Sequence, residues 1–117
     1  RKQFGKPIAE FQLIQAMIAD SQTEMLAAKS MVLEGARKRD AGENTTLEAS
    51  CAKLFSSESL GKIADRAVQI YGGSGYMSEY PIERFYRDSR LFRIYEGTSQ
   101  IQQLIIARET IKKHRNI

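Results

Sequence analysis

Apolar side chains recur along most of this chain at the three- and four-residue steps of an α-helix. The connections between these helical segments are short, and none carries the two-residue alternation that is typical of a half-buried strand. The pattern predicts an all-α protein in which four helices pack as an antiparallel bundle. Residues 1–117 are expected to form a single domain, because a chain of this length holds one hydrophobic core.

The first predicted helix begins near Pro7, because proline is accepted in the first turn of a helix. We expect it to end at Arg37–Gly42, where cations and a glycine suit a helix C-terminus. Its predicted inward face consists of Ile8, Phe11, Ile14, Ile18, Met25, Ala28 and Val32.

The second predicted helix begins at Thr45 or Thr46, and Thr45 with Glu48 has the spacing of a capping box. It ends in Gln69–Tyr76, where three glycines in four residues leave the backbone without side-chain shielding. Both a phosphate cradle and a simple helix stop fit this segment. A Rossmann fingerprint is excluded, because the glycines follow a helix and not a strand.

The third predicted helix begins near Pro81, and the last runs from Ser99 to about Lys113. From the third helix toward the last one, four arginines recur at every third position. They can bind phosphates or pair with carboxylates of neighbouring helices. Interleaved apolar residues favour structural pairing. These arginines are Arg84, Arg87, Arg90 and Arg93.

Composition and charge narrow the possible functions. The net charge of +4 comes from 18 basic and 14 acidic residues that are interleaved, so nucleic-acid binding is not indicated. The lone Cys51 is consistent with a reducing compartment, and the lone His114 has no partners at metal-ligand spacing. No apolar run approaches the roughly 18 residues of a membrane span. Since the chain opens at Arg1 without Met or a signal sequence, we expect it to be part of something longer.

Glu96 is the strongest candidate for chemistry, because it stands beside Gly97 at the mouth of the last helix. Thr98 or Ser99 is expected to supply the N-cap oxygen, and Ser99 with Gln102 has capping-box spacing. The positive end of a helix dipole favours an ionised carboxylate and therefore a base. A solvated carboxylate in an ordinary capping loop fits the same pattern, so both interpretations stay open.

Four segments together resemble the C-terminal domain of the acyl-CoA dehydrogenases, and the resemblance covers essentially the whole chain. In order, they are Arg1–Pro7 (RKQFGKP), Gln69–Tyr76 (QIYGGSGY), Tyr80–Asp88 (YPIERFYRD) and Ile94–Gln102 (IYEGTSQIQ).

The resemblance implies an enzyme that binds FAD at a subunit interface of a homodimer or homotetramer. It oxidises an acyl-CoA substrate to the trans-2-enoyl product and passes electrons to an electron-transfer flavoprotein, in the bacterial cytoplasm or the mitochondrial matrix. The N-terminal helical and middle β-domains of the family are expected to be absent from this chain. The isolated 117 residues should therefore neither hold flavin tightly nor turn over.

The resemblance also assigns roles to individual residues, with Glu96 as the catalytic base that removes the α-proton. The implied substrate contacts are Tyr95 and Gly97. The implied cofactor contacts are Arg1, Gln3, Phe4, Gln69, Gly72, Gly73, Thr98 and Gln100. Two alternatives stay open: a non-enzymatic helical module that binds a protein or nucleic acid, and a relative similar to the acyl-CoA oxidases.

Overall fold

The computed structural model describes residues 1–115 and contains four α-helices. They are α1 (Gln12–Asp40), α2 (Thr46–Tyr71), α3 (Ile82–Arg90) and α4 (Ser99–Arg115). Short 3-10 helices lie at Ile8–Glu10, Gly72–Tyr76 and Leu91–Arg93. The predicted all-α fold with four helices is confirmed. In the part of the chain that the structure describes, no helix is long and apolar enough to cross a membrane.

The first helix does not begin at Pro7, so that part of the prediction is wrong. Lys2–Gln3 (β1) and Lys6–Pro7 (β2) instead form a small antiparallel hairpin. Phe4 (φ 54°) and Gly5 (φ 80°) make its two-residue turn, and paired positive φ angles suit the twist of such a hairpin. After the first 3-10 helix the backbone is extended at Phe11, and α1 follows.

The C-terminal end of α1 has the glycine stop that was predicted. Gly42 adopts a left-handed φ of 79°, two residues beyond Asp40. Its N–H donates to the carbonyl oxygen of Arg39 (3.0 Å), and the Glu43 N–H donates to that of Lys38 (3.1 Å). These two bonds form a Schellman motif, which satisfies carbonyls that the helix leaves free.

Helices α1 and α2 pack antiparallel along a single seam. Arg66 of α2 donates two hydrogen bonds to the Glu24 carboxylate (2.8 and 3.0 Å), and Lys38 donates one to Glu48 (2.9 Å). On α1, partly covered positions recur in a seven-residue register: Ile14, Met17, Ser21, Glu24, Ala28, Met31, Gly35 and Lys38. The predicted inward face of α1 is therefore only partly correct. Ile18, Met25 and Val32 lie on another stripe and remain about half exposed.

Helix α2 occupies the centre of the fold, and α1, α3 and α4 each pack against it. The molecule is elongated, with dimensions of 61 × 25 × 24 Å and a radius of gyration of 18.0 Å, whereas a compact chain of this length would have about 13 Å. Within residues 1–115, the only buried hydrophobic residues are Ala52 and Ala64. The described chain thus presents much of its apolar surface to the outside.

Candidate functional site

The segment between Arg93 and α4 adopts a strained backbone. Glu96 (φ 53°) and Gly97 (φ 87°) are both left-handed, which is uncommon for a residue with a side chain such as Glu96. A Cβ atom on Gly97 would lie 2.6 Å from Nε2 of Gln102. The φ angle of Gly97 therefore favours glycine at this position, and a larger residue would also have to displace the side-chain amide of Gln102.

Lys53 of α2 holds both ends of this segment. Its Nζ atom donates hydrogen bonds to the carbonyl oxygens of Phe92 (2.9 Å) and Gly97 (2.6 Å). On the other side, Nε2 of Gln102 approaches the carbonyl oxygen of Glu96 at 3.4 Å. We call residues 92–98 the Glu96 loop.

A second tie from α2 fixes the start of α4. Ser99, which is buried, donates from Oγ to Oε1 of Glu58 at 2.6 Å, and Nε of Arg93 lies 3.0 Å from the same oxygen. The Arg93 contact is an ion pair without an aligned hydrogen bond, because its Nε finds no hydrogen-bond acceptor in the described chain. The Ser99 hydrogen bond, followed by the Arg93 cation, lowers the pKa of Glu58 from its ordinary value.

Thr98 is the N-cap of α4, which decides between the two predicted capping residues. Its Oγ1 accepts a hydrogen bond from the Ile101 N–H at 3.2 Å. The predicted Ser99–Gln102 capping box does not form, since Ser99 bonds to Glu58 and Gln102 turns back toward Glu96. Both side chains are thus used to connect α4 to its surroundings.

The predicted site residues of the last segment lie on the outer surface of the Glu96 loop or at the start of α4. The Glu96, Tyr95 and Gln100 residues are exposed, while Gly97 and Thr98 are partly covered. The Tyr95 ring packs edge-on against Phe92, with 5.4 Å between ring centroids. The loop therefore exposes the Glu96 carboxylate, while Lys53 and Gln102 hold the loop backbone on its inner side.

The remaining predicted site residues gather where the hairpin meets the C-terminal end of α2. A groove at this end is lined by Arg1, Gln3, Phe4 and Ile70. The guanidinium of Arg1 lies 3.8 Å from the place that a Cβ on Gly72 would occupy. We call this set of residues, together with Gln69 and Gly73, the hairpin cluster.

The structure does not bring the hairpin cluster and the Glu96 loop together within one chain. Lys53, which touches the loop, and Gln69, in the hairpin cluster, lie on the same unbroken helix. At 1.5 Å per residue, the two positions are roughly 24 Å apart. A single protomer thus carries two separate sets of predicted site residues.

A sequence profile of the family described as "Acyl-CoA dehydrogenase, C-terminal domain" matches residues 1–111. The chain belongs to this family.

Individual relatives support the assignment to the acyl-CoA dehydrogenase family. The caffeyl-CoA reductase–Etf complex subunit CarC of Acetobacterium woodii is 54% identical over 113 residues, 97% of this chain and 30% of that protein. The cyclohexane-1-carbonyl-CoA dehydrogenase of Geobacter metallireducens is 47% identical over 113 residues, again 97% and 30%. The structure of butyryl-CoA dehydrogenase from Megasphaera elsdenii superposes with a TM-score of 0.92 at 38% identity, covering 95% of this chain and 29% of that one. The chain spans about 30% of these relatives' length.

The arginine stripe of this acyl-CoA dehydrogenase domain is partly accounted for by pairing. Arg87 contacts Glu83 one turn earlier on α3 (2.7 Å), and Arg93 contacts Glu58 of α2 (3.0 Å). The Arg93 contact agrees with the predicted pairing to a neighbouring helix, whereas Arg87 pairs within its own helix. Arg84 instead lies over the Phe85 ring, 5.9 Å from its centroid.

Sequence reasoning missed Lys53 and Glu58, which support the Glu96 loop, and it gave Gln102 a capping role in place of its contact with the Glu96 carbonyl. The available signal was that Lys53 and Glu58 are charged residues in a part of α2 that is rich in small side chains, where another element can pack closely. The partners of these residues could not be inferred, because they lie about 40 residues further along the chain.

Proposed function

We propose that this domain carries the catalytic carboxylate of a flavin-dependent enzyme that oxidises an acyl-CoA thioester between its α- and β-carbons. The observation that carries the proposal is the exposed Glu96 side chain, presented from a left-handed backbone that α2 and α4 hold in place. Family membership supports it, because relatives that match most of this chain are named acyl-CoA dehydrogenases and reductases.

In this reaction Glu96 acts as a general base toward the α-carbon. An oxygen of its carboxylate takes the α-proton as that C–H bond breaks, and a double bond forms between the α- and β-carbons. Bound FAD would supply the acceptor for the hydride that leaves the β-carbon. Gly97 gives the backbone its left-handed turn beside the carboxylate, and Tyr95, whose ring packs edge-on against Phe92, stands next to it as a surface for the acyl group.

The described residues fit a flavin nucleotide in two respects. At the hairpin cluster, the Arg1 cation suits a pyrophosphate, and the Gly72 and Gly73 backbone is open to close approach, with nothing within 4 Å of a Cβ on Gly73. At the start of α4, Thr98 and Gln100 would offer polar groups near a helix N-terminus. Because the two sets are far apart, we assign Arg1, Gln3, Phe4, Gln69, Gly72 and Gly73 to the FAD of a second protomer.

The second candidate function is the reverse reaction, reduction of an enoyl-CoA, which the same residues would serve. The name of one relative favours it. CarC is named as a subunit of a caffeyl-CoA reductase–Etf complex. In the reductive direction, a protonated Glu96 would return its proton to the α-carbon, since each step must be reversible along the same path. We propose that an electron-transfer flavoprotein exchanges electrons with this enzyme in either direction. We propose a bacterial cytoplasm as the compartment.

Glu96→Gln in the full-length protein tests the proposal, because the amide keeps the shape of the side chain and removes its basicity. We expect the rate of acyl-CoA oxidation to fall by at least about 10²-fold, the usual range for a lost general base. Flavin content and acyl-CoA affinity should remain near wild type. Bleaching of flavin absorbance by the acyl-CoA, measured by stopped flow, gives the rate.

Glu43→Gln serves as the matched control, because Glu43 is an exposed carboxylate in the connection between α1 and α2. It should oxidise acyl-CoA at the wild-type rate. A Glu96→Gln protein that reacts as fast as this control would rule out Glu96 as the base. Absence of bound flavin from the full-length wild-type protein would favour the non-enzymatic binding module instead.

A further inference from the structure

The ammonium group of Lys53 bridges two carbonyl oxygens that stand five residues apart in the chain. Its Nζ lies 2.9 Å from the oxygen of Phe92 and 2.6 Å from that of Gly97. A lysine carries three donors on one atom, so it can hold two backbone segments at a fixed separation. The residues between these two points, including Glu96, must arch outward from α2.

The arch contains the unusual backbone of the loop. Glu96 holds a left-handed φ of 53°, which a residue with a Cβ adopts only when its surroundings enforce it. Lys53 binds the carbonyl of the next residue, Gly97, and Gln102 approaches the Glu96 carbonyl from the α4 side. These two contacts fix the peptide units on either side of Gly97, and with them the direction of the Cα–Cβ bond of Glu96.

The Glu58 tie does not duplicate this function. Glu58 binds the Ser99 side chain at the start of α4, outside the arch, and reaches the arch only through the side chain of Arg93. It positions elements, whereas Lys53 contacts the main chain of the loop itself. Removing the Lys53 donors would leave the Phe92 and Gly97 carbonyls without that partner while α4 stays anchored.

We propose that Lys53 is a positioning residue that aims the Glu96 carboxylate by holding the Phe92 and Gly97 carbonyls. The proposal rests on the function proposed above for Glu96. Lys53 touches neither substrate nor cofactor in this assignment, and acts only through the loop backbone. A misplacement of the reacting group by about 1 Å costs on the order of 10²-fold in rate, so a small relaxation of the loop is sufficient to be measured.

Lys53→Met in the full-length protein removes the donors and keeps the length of the side chain. We expect kcat per bound flavin to fall by about 10- to 100-fold, with KM within about threefold, because the substrate surface stays in place. The deuterium isotope effect with α-deuterated acyl-CoA should rise as proton removal becomes slower. Amide hydrogen exchange of residues 92–98 should be faster than in wild type, with the melting temperature little changed.

Two variants make the test specific. Lys53→Arg keeps a cationic donor and should recover part of kcat and of the protection from exchange. Lys62→Met, at an exposed lysine on the same helix, should match wild type in kcat, KM, isotope effect, hydrogen exchange and melting temperature. Wild-type kcat and isotope effect in Lys53→Met would overturn the proposal. It is overturned equally if the loss of activity follows only a loss of bound flavin or of folded protein.

The Glu96→Gln variant, measured in parallel, separates this proposal from the one on which it rests. If Glu96→Gln reacts at the wild-type rate, the proposed function fails, and the role of Lys53 in aiming Glu96 fails with it. If Glu96→Gln is inactive and Lys53→Met is as fast as wild type, Glu96 remains the base and only the positioning role of Lys53 is lost.

Discussion

Gly73 and Gly75 lie two residues apart in the same turn and meet opposite surroundings. A Cβ on Gly75 would lie 2.6 Å from the carbonyl oxygen of Val68 and 3.0 Å from Cβ of Tyr71. A Cβ on Gly73 would meet nothing within 4 Å. The first glycine therefore leaves a surface open, whereas the second allows the turn to pack closely against α2.

We expect Gly75→Ala to destabilise the protein by about 1–3 kcal/mol, because a backbone carbonyl cannot move aside as a side chain can. Gly73→Ala should change the free energy of unfolding by less than about 0.5 kcal/mol. If Gly73 faces a nucleotide, however, its substitution should lower flavin content in the full-length protein. Urea unfolding and flavin absorbance of the two variants give both quantities. Equal losses of stability would contradict this assignment.

At this scale, the sequence predicted candidate site residues but not their conformations. Glu96 was chosen because it precedes a glycine at a helix start, and the structure does place it there. The positive φ of Glu96 was not predicted, because it depends on contacts that Lys53, 43 positions earlier, and Gln102 make with the loop backbone. Contacts over such a separation are not contained in any local pattern.

At the scale of elements, the Glu24–Arg66 pair connects α1 to α2. The hydrogen bonds from Arg66 lower the pKa of Glu24 from its ordinary value. A lowered pKa in the folded state means that the pair contributes stability above the unfolded pKa, near 4.3, and loses it as pH falls through the folded value. The α1–α2 seam should therefore weaken in acid.

Glu24→Gln should lower the melting temperature at pH 7, and the difference from wild type should shrink as pH falls below about 4. Thermal unfolding followed by circular dichroism at several pH values measures this. Glu34→Gln is the control, because within residues 1–115 the salt bridge of Glu34 is to the exposed Arg37 on its own helix, and such pairs contribute little. A pH-independent difference for Glu24→Gln would contradict the linkage.

The N-cap of α4 gives a second prediction at this scale. Thr98→Val keeps the shape of the side chain but removes the acceptor for the Ile101 N–H, and should cost about 1 kcal/mol of stability. Thr98→Ser retains the acceptor and should cost less. The free energies of unfolding of the two variants provide the comparison, and equal values would show that the cap contributes nothing.

Helices were easier to predict than their ends. The seven-residue and three-to-four-residue patterns of α1, α2 and α4 are long and regular, so their existence follows from local sequence. The hairpin at Lys2–Pro7 was missed because two-residue strands carry no alternation, and its turn relies on Phe4, a residue not typical of positive φ. The Ser99–Gln102 capping box does not form because Ser99 bonds to Glu58 on another helix. At the start of α2, Thr45 makes no side-chain cap hydrogen bond, and Glu48 instead accepts one from Lys38 of α1.

At the scale of the whole molecule, the exposed apolar residues stand out. Leu13 is 83% exposed and Phe4 86%, and the half-exposed Ile18, Met25 and Val32 recur on one side of α1 at seven-residue intervals. Helix α1 carries two apolar stripes, and the described chain covers only the one that faces α2. Periodicity indicates which residues avoid water, but it does not indicate whether the same chain supplies their cover.

We therefore expect the isolated 117-residue chain to bind the hydrophobic dye ANS and to self-associate. Replacing Ile18, Met25 and Val32 together by Gln should reduce both effects while the helix content remains. Replacing Ile14, Met17 and Met31, on the stripe that faces α2, should instead unfold the chain. Dye fluorescence, light scattering and circular dichroism distinguish the outcomes, and a monodisperse wild-type chain without dye binding would contradict the expectation.

Helix α2 also fixes the distance and the rotation about its axis between the two sets of predicted site residues. Since Lys53 and Gln69 lie on one continuous helix, inserting a single residue between them would rotate one set relative to the other by about 100° and move it by about 1.5 Å. A seven-residue insertion would nearly restore the angle but lengthen the separation by about 10 Å. Chimaeras and circular permutants of this domain must therefore keep the number of residues in α2, even where its exposed side chains can change freely.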